Sequence, residues 1–313
     1  MSFSHIPVLL NETIEALGVR PDGIYVDCTA GGGGHSFEIA RRLTSGKLVC
    51  IDRDPDAVEA AKERLSPFSD RTVFVNDNYS NLKNILSSLD IASVDGVTAD
   101  LGVSSHQIDT PERGFSYIAD GPLDMRMSGS GMTAADVVNT YPYEELRRIF
   151  YEYGEEKYSP RIAARIVEQR ETAPIETTKE LVGIIEKAYP QNESGGHPAK
   201  RVFQALRIEV NGEISGIAPM IRDAVEALKP GGRIAVITFH SLEDRVVKQE
   251  FSQLFTGCVC PPEFPVCVCG RKPALKPIAR KPILPGAREL RENTRSHSAK
   301  LRAAERTENP YAR

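Results

Sequence analysis

Tryptophan is absent from this 313-residue chain, and Phe and Tyr bring the aromatics to only 7%. By itself that lack decides nothing. Long apolar runs are also missing. No stretch approaches the roughly 20 apolar residues that a bilayer-spanning helix needs. The opening Met1-Ser2-Phe3-Ser4-His5-Ile6-Pro7 is not a signal peptide. A cytoplasmic location with no membrane partner is therefore expected. Cysteine is scarce: six in a chain of this size make no disulfide framework. A strong excess of one charge is lacking too, the net charge being −4. With 41% hydrophobic and 26% charged residues, the composition is that of an ordinary globular protein, long enough for one large domain or two.

The small net charge hides an asymmetry. Residues 271–313 hold twelve Lys and Arg against four Glu, a local charge of +8 that leaves the remainder at −12. A basic end on an acidic body suits phosphates. A solvated tail is the plainer reading, and the sign asymmetry favours nucleic acid.

The most informative segment is Val26-Asp27-Cys28-Thr29-Ala30-Gly31-Gly32-Gly33-Gly34-His35-Ser36. It follows an extended apolar run and opens a helical pattern at Phe37, Ile39, Ala40 and Leu43. A strand, a glycine turn and a helix start in that order form a nucleotide-cofactor cradle, because glycine lets backbone N–H groups approach a ligand. A second strand, Lys47-Leu48-Val49-Cys50-Ile51, runs into Asp52 and Asp54. An acid about 20 residues beyond the glycines is placed to hold ribose hydroxyls. The dinucleotide fingerprint G-x-G-x-x-G/A is missing, since its closing position falls on Ser36 or Phe37. Asp27 ends the first strand, where an acid would repel a pyrophosphate and suit a cation. S-adenosylmethionine has both a ribose and a cationic methionyl end. The plain alternative is a flexible glycine loop in an ordinary α/β unit.

Along the chain, strands are expected at 23–28, 47–52, 72–75 and 94–100, with helices at 5–18, 35–43, 56–65 and 80–89. The alternation indicates a parallel, doubly wound sheet with ligands at the carboxyl ends of its strands. Residues 107–207 show no convincing strand. They are turn-rich over 108–133 and helical at 143–153, 161–169, 178–188 and 199–210. The sheet resumes after a helix at 214–228 and a turn at 229–232, with a buried strand at 233–239. A helix at 242–255 and strands near 274–280 and 299–304 follow. The expected organisation is an α/β domain of residues 1–107 and 208–313, interrupted by an all-helical insert of residues 108–207.

Several segments narrow the reading. They are His5-x-Pro7-Val8-Leu9-Leu10-x-Glu12, residues 31–36, Ile51-Asp52-Arg53-Asp54, Asp100-Leu101-Gly102-Val103-Ser104-Ser105, Arg113-Gly114-Phe115-Ser116, Asp120-Gly121-Pro122-Leu123-Asp124-Met125-Arg126-Met127, Phe203-Gln204-Ala205-Leu206-Arg207-Ile208 and Phe239-His240-Ser241-Leu242-Glu243-Asp244-Arg245. In this order they closely resemble the bacterial small-subunit ribosomal RNA methyltransferase H family, also called MraW. The resemblance runs from His5 to about residue 306. It implies a Rossmann-like class I fold that uses S-adenosylmethionine and carries an inserted helical domain for RNA recognition. The implied reaction methylates the exocyclic N4 amine of a decoding-centre cytidine in 16S ribosomal RNA, within the small ribosomal subunit. A homodimer is compatible with it. The family's cofactor positions fall on Gly33, Gly34, His35, Asp52, Tyr79, Asp100 and Gln107, to which the residue pattern adds Asp27 and Gly31. The family often has Phe where this chain has Tyr79, and either offers an aromatic face to adenine.

An exocyclic amine on cytosine is a poor nucleophile, because its lone pair is delocalised into the ring. Methylation needs that lone pair aligned on the sulfonium methyl and an acceptor for the N–H groups as charge develops. Asp100, at the end of the fourth strand, is the first candidate acceptor, and it could instead bind only the cofactor. His240 and Ser241, after the fifth strand, come next. The D/N-P-P-Y/F motif of many amine methyltransferases is missing, so the detailed mechanism of that group does not carry over. Carbon-5 methylation needs a cysteine nucleophile, and neither the fourth nor the fifth strand has one. The target base must leave its stack. Phe115, Tyr117, Arg126, Lys200, Arg201 and Arg207 of the insert are candidate RNA contacts. Core packing accounts equally well for any single aromatic among them.

One motif stands apart. Cys258-x-Cys260 and Cys267-x-Cys269 place four thiols in twelve residues, enough for one structural Zn²⁺ with no open position. The spacing is not the commoner C-x-x-C, and zinc does not define the family resembled. Reduced thiols or a redox-labile loop are the alternatives. Two rival functions also stay open: a methyltransferase for a small molecule or protein, and a non-enzymatic S-adenosylmethionine sensor that binds nucleic acid.

Overall fold

The structure is a computed structural model that describes residues 7–190, 196–261 and 263–311. His5 and Ile6 of the expected first helix, and Pro262 of the cysteine segment, lie outside the described residues. The chain forms two compact units, Met1–Gly102 with Ile214–Arg313, and Val103–Glu213.

The first unit is built on α1 (Leu10–Leu17), β1 (Ile24–Asp27), α2 (Gly34–Ala40), β2 (Lys47–Asp52), α3 (Pro55–Arg64), β3 (Thr72–Asn76), α4 (Leu82–Ser88) and β4 (Val94–Asp100). The second holds α5 (Ser105–Asp109), α6 (Ala134–Thr140), α7 (Tyr143–Glu152), α8 (Ser159–Arg170), α9 (Thr178–Ala188) and α10 (Ala199–Asn211). The chain then adds α11 (Glu213–Ala227), β5 (Leu228–Thr238), α12 (Ser241–Thr256), β6 (Leu275–Pro277), α13 (Ala287–Glu292) and β7 (Lys300–Arg306).

Seven strands form one sheet in the order β3-β2-β1-β4-β5-β7-β6. Neighbours from β3 to β5 are parallel, and β7 runs antiparallel to both β5 and β6. This is the Rossmann-like class I methyltransferase arrangement. Both faces of the sheet are covered. Val26, Val49, Ile51, Val97, Ile234 and Val236 pack with α4, α11 and α12. Tyr25, Leu48, Cys50, Ala235 and Ile237 pack with α1, α2 and α3 on the opposite face. The central strands are therefore apolar on both sides, which is why they read as continuous hydrophobic runs.

The second unit has its own core, built from Leu146, Ile149 and Phe150 of α7, Ile162 and Ile166 of α8, Leu181 and Ile185 of α9, and Val202, Phe203 and Leu206 of α10. Its bounds differ from 108–207 at both ends. Ser104 starts α5 with a capping box to Gln107, so the helical unit takes in that cap. At the other end α10 continues to Asn211 and stops at Gly212, whose φ of 58° forms the left-handed cap. The expected turn at 229–232 is a bulge within β5. Pairing jumps there from Val94 with Leu228 to Gly96 with Arg233. Among the described residues no helix is long and apolar enough to cross a membrane.

Candidate active site

The sheet order reverses between β1 and β4, so their carboxyl ends flank the crevice where open α/β sheets bind ligands. Asp27 ends β1 and Asp100 ends β4. The turn after β1 is held from below by Asp27. This carboxylate is 1% exposed, accepts the Ser36 hydroxyl at 2.6 Å and accepts the Thr29 amide at 3.2 Å. Burial pushes its pKa up against those two bonds. Thr29 also ties the turn to β4, because its Oγ1 accepts the Asp100 amide at 2.6 Å.

The glycines meet two separate demands. Gly33 sits at φ 75° as the N-cap of α2, a conformation disfavoured for residues with a Cβ. At Gly34 a Cβ would lie 2.2 Å from Pro7 Cγ, so the helix start is packed too tightly for a side chain. Gly31, also at positive φ, would place a Cβ near nothing closer than Thr29 O at 3.9 Å, leaving open space beside it.

Asp52 has a larger structural share than spacing alone suggests. Its Oδ2 accepts the Gly31 amide at 2.8 Å, and its Oδ1 accepts the Asp54 amide at 2.9 Å. The carboxylate thus braces the glycine turn from β2, and each oxygen keeps another lone pair for a ligand. Burial raises its pKa to about 6. Asp54 is the residue that caps α3, accepting the Asp56 amide at 3.1 Å while Pro55 opens the helix. Tyr79 opens a short 3₁₀ turn after β3, partly exposed, with its ring against Gly216 of α11, where a Cβ would lie 2.9 Å from Cε2.

Asp100 is the most unusual group. Its Oδ1 is enclosed with no hydrogen-bond partner, while the side chain as a whole keeps 27% exposure. Its Oδ2 lies 3.8 Å from His35 Nδ1, beyond hydrogen-bonding range. His35 Nε2 contacts the Val8 carbonyl at 3.1 Å. A carbonyl only accepts, so this contact puts an imidazole proton on Nε2 and leaves Nδ1 facing Asp100. Burial raises the Asp100 carboxyl well above its ordinary range, and the charges of Asp27 and Glu243 add to the shift. Asp27, Asp52 and Asp100 have no Lys or Arg partner among the described residues. This many carboxyl groups at neighbouring strand ends without a cationic partner fit a cationic ligand.

His240 and Ser241 take local duties at the start of α12. His240 Nδ1 accepts the Glu243 amide at 3.5 Å as the N-cap. Glu243 Oε2 returns the bond by accepting the Phe239 and His240 amides at 2.8 and 3.3 Å. His240 Nε2 is 3.0 Å from Glu243 Oε1 but out of line for a hydrogen bond. Ser241 is the exposed first residue of the helix. Glu243, 1% exposed and acting on Asp100, is the site carboxylate to which the residue pattern assigned no role. Its signal is the three-residue spacing from the cap at His240.

Gln107 belongs to the helical unit, where its Oε1 accepts the Ser104 amide at 2.9 Å and closes the α5 capping box. The expected RNA contacts divide sharply. Phe115 is 8% exposed and lies in the helical core. Arg207 makes two bonds to Glu213, at 2.8 and 2.9 Å, with both side chains largely buried. Arg126 is clamped on Asp124 at 2.7 and 3.0 Å. Tyr117 packs on His197 and Phe203 and stays partly exposed. Lys200 and Arg201 are exposed on α10.

The basic C-terminal end is woven into the sheet: Lys276 pairs with Glu305, and Lys300 and Arg302 pair with Asp244. Its charge is thus partly spent inside the fold. Cys258, Cys260, Cys267 and Cys269 converge on the loop between α12 and β6.

Residues 2–307 match the MraW methylase family. The ribosomal RNA small subunit methyltransferase H of Carboxydothermus hydrogenoformans is 56% identical over 308 residues, covering 98% of this chain and 99% of that protein. The proteins of the same name from Finegoldia magna and Clostridioides difficile are each 53% identical over 310 residues, covering 98% of this chain and 99% and 100% of theirs.

Proposed function

This chain belongs to the MraW methylase family and is an S-adenosylmethionine-dependent methyltransferase, and we propose that its acceptor is the exocyclic N4 amine of a decoding-centre cytidine in 16S ribosomal RNA, met within the small ribosomal subunit in the cytoplasm. The relatives' names supply the support for a small-subunit RNA substrate. The exposed Lys200 and Arg201 and the partly exposed Tyr117 are surface groups of the helical unit suited to phosphate and base. A structural zinc on Cys258, Cys260, Cys267 and Cys269 has no part in the methyl transfer.

The observation that carries the chemistry is the enclosed, unsatisfied Oδ1 of Asp100 at the end of β4. S-adenosylmethionine, when bound, supplies an electrophilic methyl on a positively charged sulfur. Gly31 leaves room for a ligand close to the backbone, with Gly33, Gly34 and His35 fixing the start of α2 behind it. Asp52 keeps lone pairs for the ribose hydroxyls, and the Tyr79 ring offers a face for adenine. A cation beside Asp100 offsets the burial and the like charges that hold its proton on. The resulting carboxylate accepts an N–H of the target amine and steadies the positive charge that develops on nitrogen. His240 and Glu243 are positioning residues, because they fix the β5–α12 corner and the field at Asp100.

Methyl-labelled S-adenosylmethionine, incubated with small subunits lacking the modification and followed by nucleoside mass spectrometry, tests the reading. Label in N4-methylated cytidine that disappears with Asp100→Ala is expected. Label in another nucleoside overturns the acceptor. No label despite measured cofactor binding overturns the ribosomal substrate.

A further inference from the structure

The loop between α12 and β6 has an inverted arrangement of side chains. Its large apolar groups face outward: Val259 is 61% exposed, Phe264 50%, Val266 70% and Val268 73%. Its four cysteines face one another, every Sγ lying within 4.8 Å of the other three. Among the described residues of the loop no apolar core holds it together, so another interaction must offset the entropy of ordering it.

The sulfur geometry identifies that interaction. Cys258 Sγ is 3.5 Å from Cys267 and 3.8 Å from Cys269, and Cys267 Sγ is 3.9 Å from Cys260 and 3.5 Å from Cys269. A disulfide needs about 2.05 Å, and all four thiols are free. A tetrahedron with zinc–sulfur bonds of about 2.3 Å has edges of about 3.8 Å. The four measured edges lie around that length. The backbone amide of Val268 donates to Cys260 Sγ at 3.4 Å, and the amides of Val259 and Arg271 donate to Cys269. The loop is pinched at its base. Gly257, at φ 72°, would place a Cβ 2.3 Å from the Lys272 carbonyl carbon, and the Ala274 amide donates to Leu254 O at 2.9 Å. The pinch brings the two Cys-x-Cys pairs together.

We propose that Cys258, Cys260, Cys267 and Cys269 bind one Zn²⁺ as a tetrahedral structural site that takes the place of a hydrophobic core in this loop. Binding forms four zinc–sulfur bonds, releases the thiol protons to solvent and leaves the site with a charge of −2, next to the cationic Arg271 and Lys272. With four thiolates no coordination position is open, so the metal does no chemistry on substrate. The inference is independent of the methyltransferase reading.

The test is metal analysis of the full chain, purified reduced from zinc-replete medium and dialysed. One zinc per chain is expected, falling below about one tenth in Cys260→Ser/Cys267→Ser. Cobalt substituted into the wild-type protein should give thiolate charge-transfer and tetrahedral d–d bands, a readout that does not depend on the variant folding. S-adenosylmethionine binding by the double variant checks that the α/β unit is intact. Four reactive thiols with no bound metal in the wild-type protein would overturn the site. So would zinc retained by the double variant, or cobalt bands of octahedral form.

Discussion

Charge is handled in opposite ways by the two units. In the helical unit several charged residues are paired with each other, Arg126 with Asp124, Arg207 with Glu213, and Arg148 with Glu145 and Glu152, while Lys200 and Arg201 stay exposed. In the α/β unit Asp27, Asp52 and Asp100 gather at the carboxyl ends of β1, β2 and β4 near amides, hydroxyls, a distant imidazole and the Glu243 carboxylate, with no Lys or Arg partner among the described residues. A carboxylate buried without a cation costs free energy that uptake of a proton or of a cationic ligand offsets. Unsatisfied charge is thus a better guide to the site than residue type, and paired charge marks structure.

The sharpest way to break this contrast is at Asp100. Asp100→Asn keeps the shape and removes the charge, and methyl transfer in single-turnover assays should fall by about 10²–10³-fold. Unchanged turnover would reduce Asp100 to a packing residue. Arg207→Ala tests the opposite claim for the helical unit. It removes the two hydrogen bonds that Arg207 makes to the buried Glu213, so denaturant unfolding should show a loss of about 3 kcal/mol. Wild-type stability with weakened RNA binding would return Arg207 to the RNA surface.

Asp52 sharpens the comparison through pH. Its pKa is raised to about 6, so it is charged above that value and takes up a proton below it. A protonated carboxyl has lost acceptor capacity, and S-adenosylmethionine affinity, followed by calorimetry, should fall by up to about tenfold per pH unit below about pH 6. Affinity that stays flat to pH 4 would remove Asp52 from the ribose contact. Lys200→Ala should have the smallest effect. Lys200 is exposed, so stability should stay within about 0.5 kcal/mol. The log–log salt slope of RNA binding should drop by about one. An unaltered slope would place the phosphates elsewhere.

Much of the α/β unit was legible because its strands are buried on both faces and each turn has local chemistry, as at Asp54-Pro55 and residues 31–34. The helical unit was legible where amphipathic helices are long. α5 and α6 escaped because they are short and flank the turn-rich stretch 108–133. At the site, spacing located Asp27, Asp52 and Asp100 but left their partners hidden, since a spacing does not say which backbone amide a carboxylate meets. The capping role of Asp54 likewise turned on one amide, that of Asp56. The same limit applies at His240, which has the chemistry of a catalyst and the hydrogen bonds of a cap. Phe115 and Arg207 carry types suited to RNA, and burial assigned them to the core and to an ion pair.

The central claim is that the carboxylates of the α/β unit await a cation. Calorimetry at about pH 6.5 in two buffers of different ionisation enthalpy measures the protons released on binding. S-adenosylmethionine should release more protons than S-adenosylhomocysteine, whose sulfur is uncharged, because the cation drives Asp100 to ionise. Asp100→Asn should abolish the difference. Equal proton release by the two ligands in the wild-type protein, or a difference that survives in Asp100→Asn, would contradict the account.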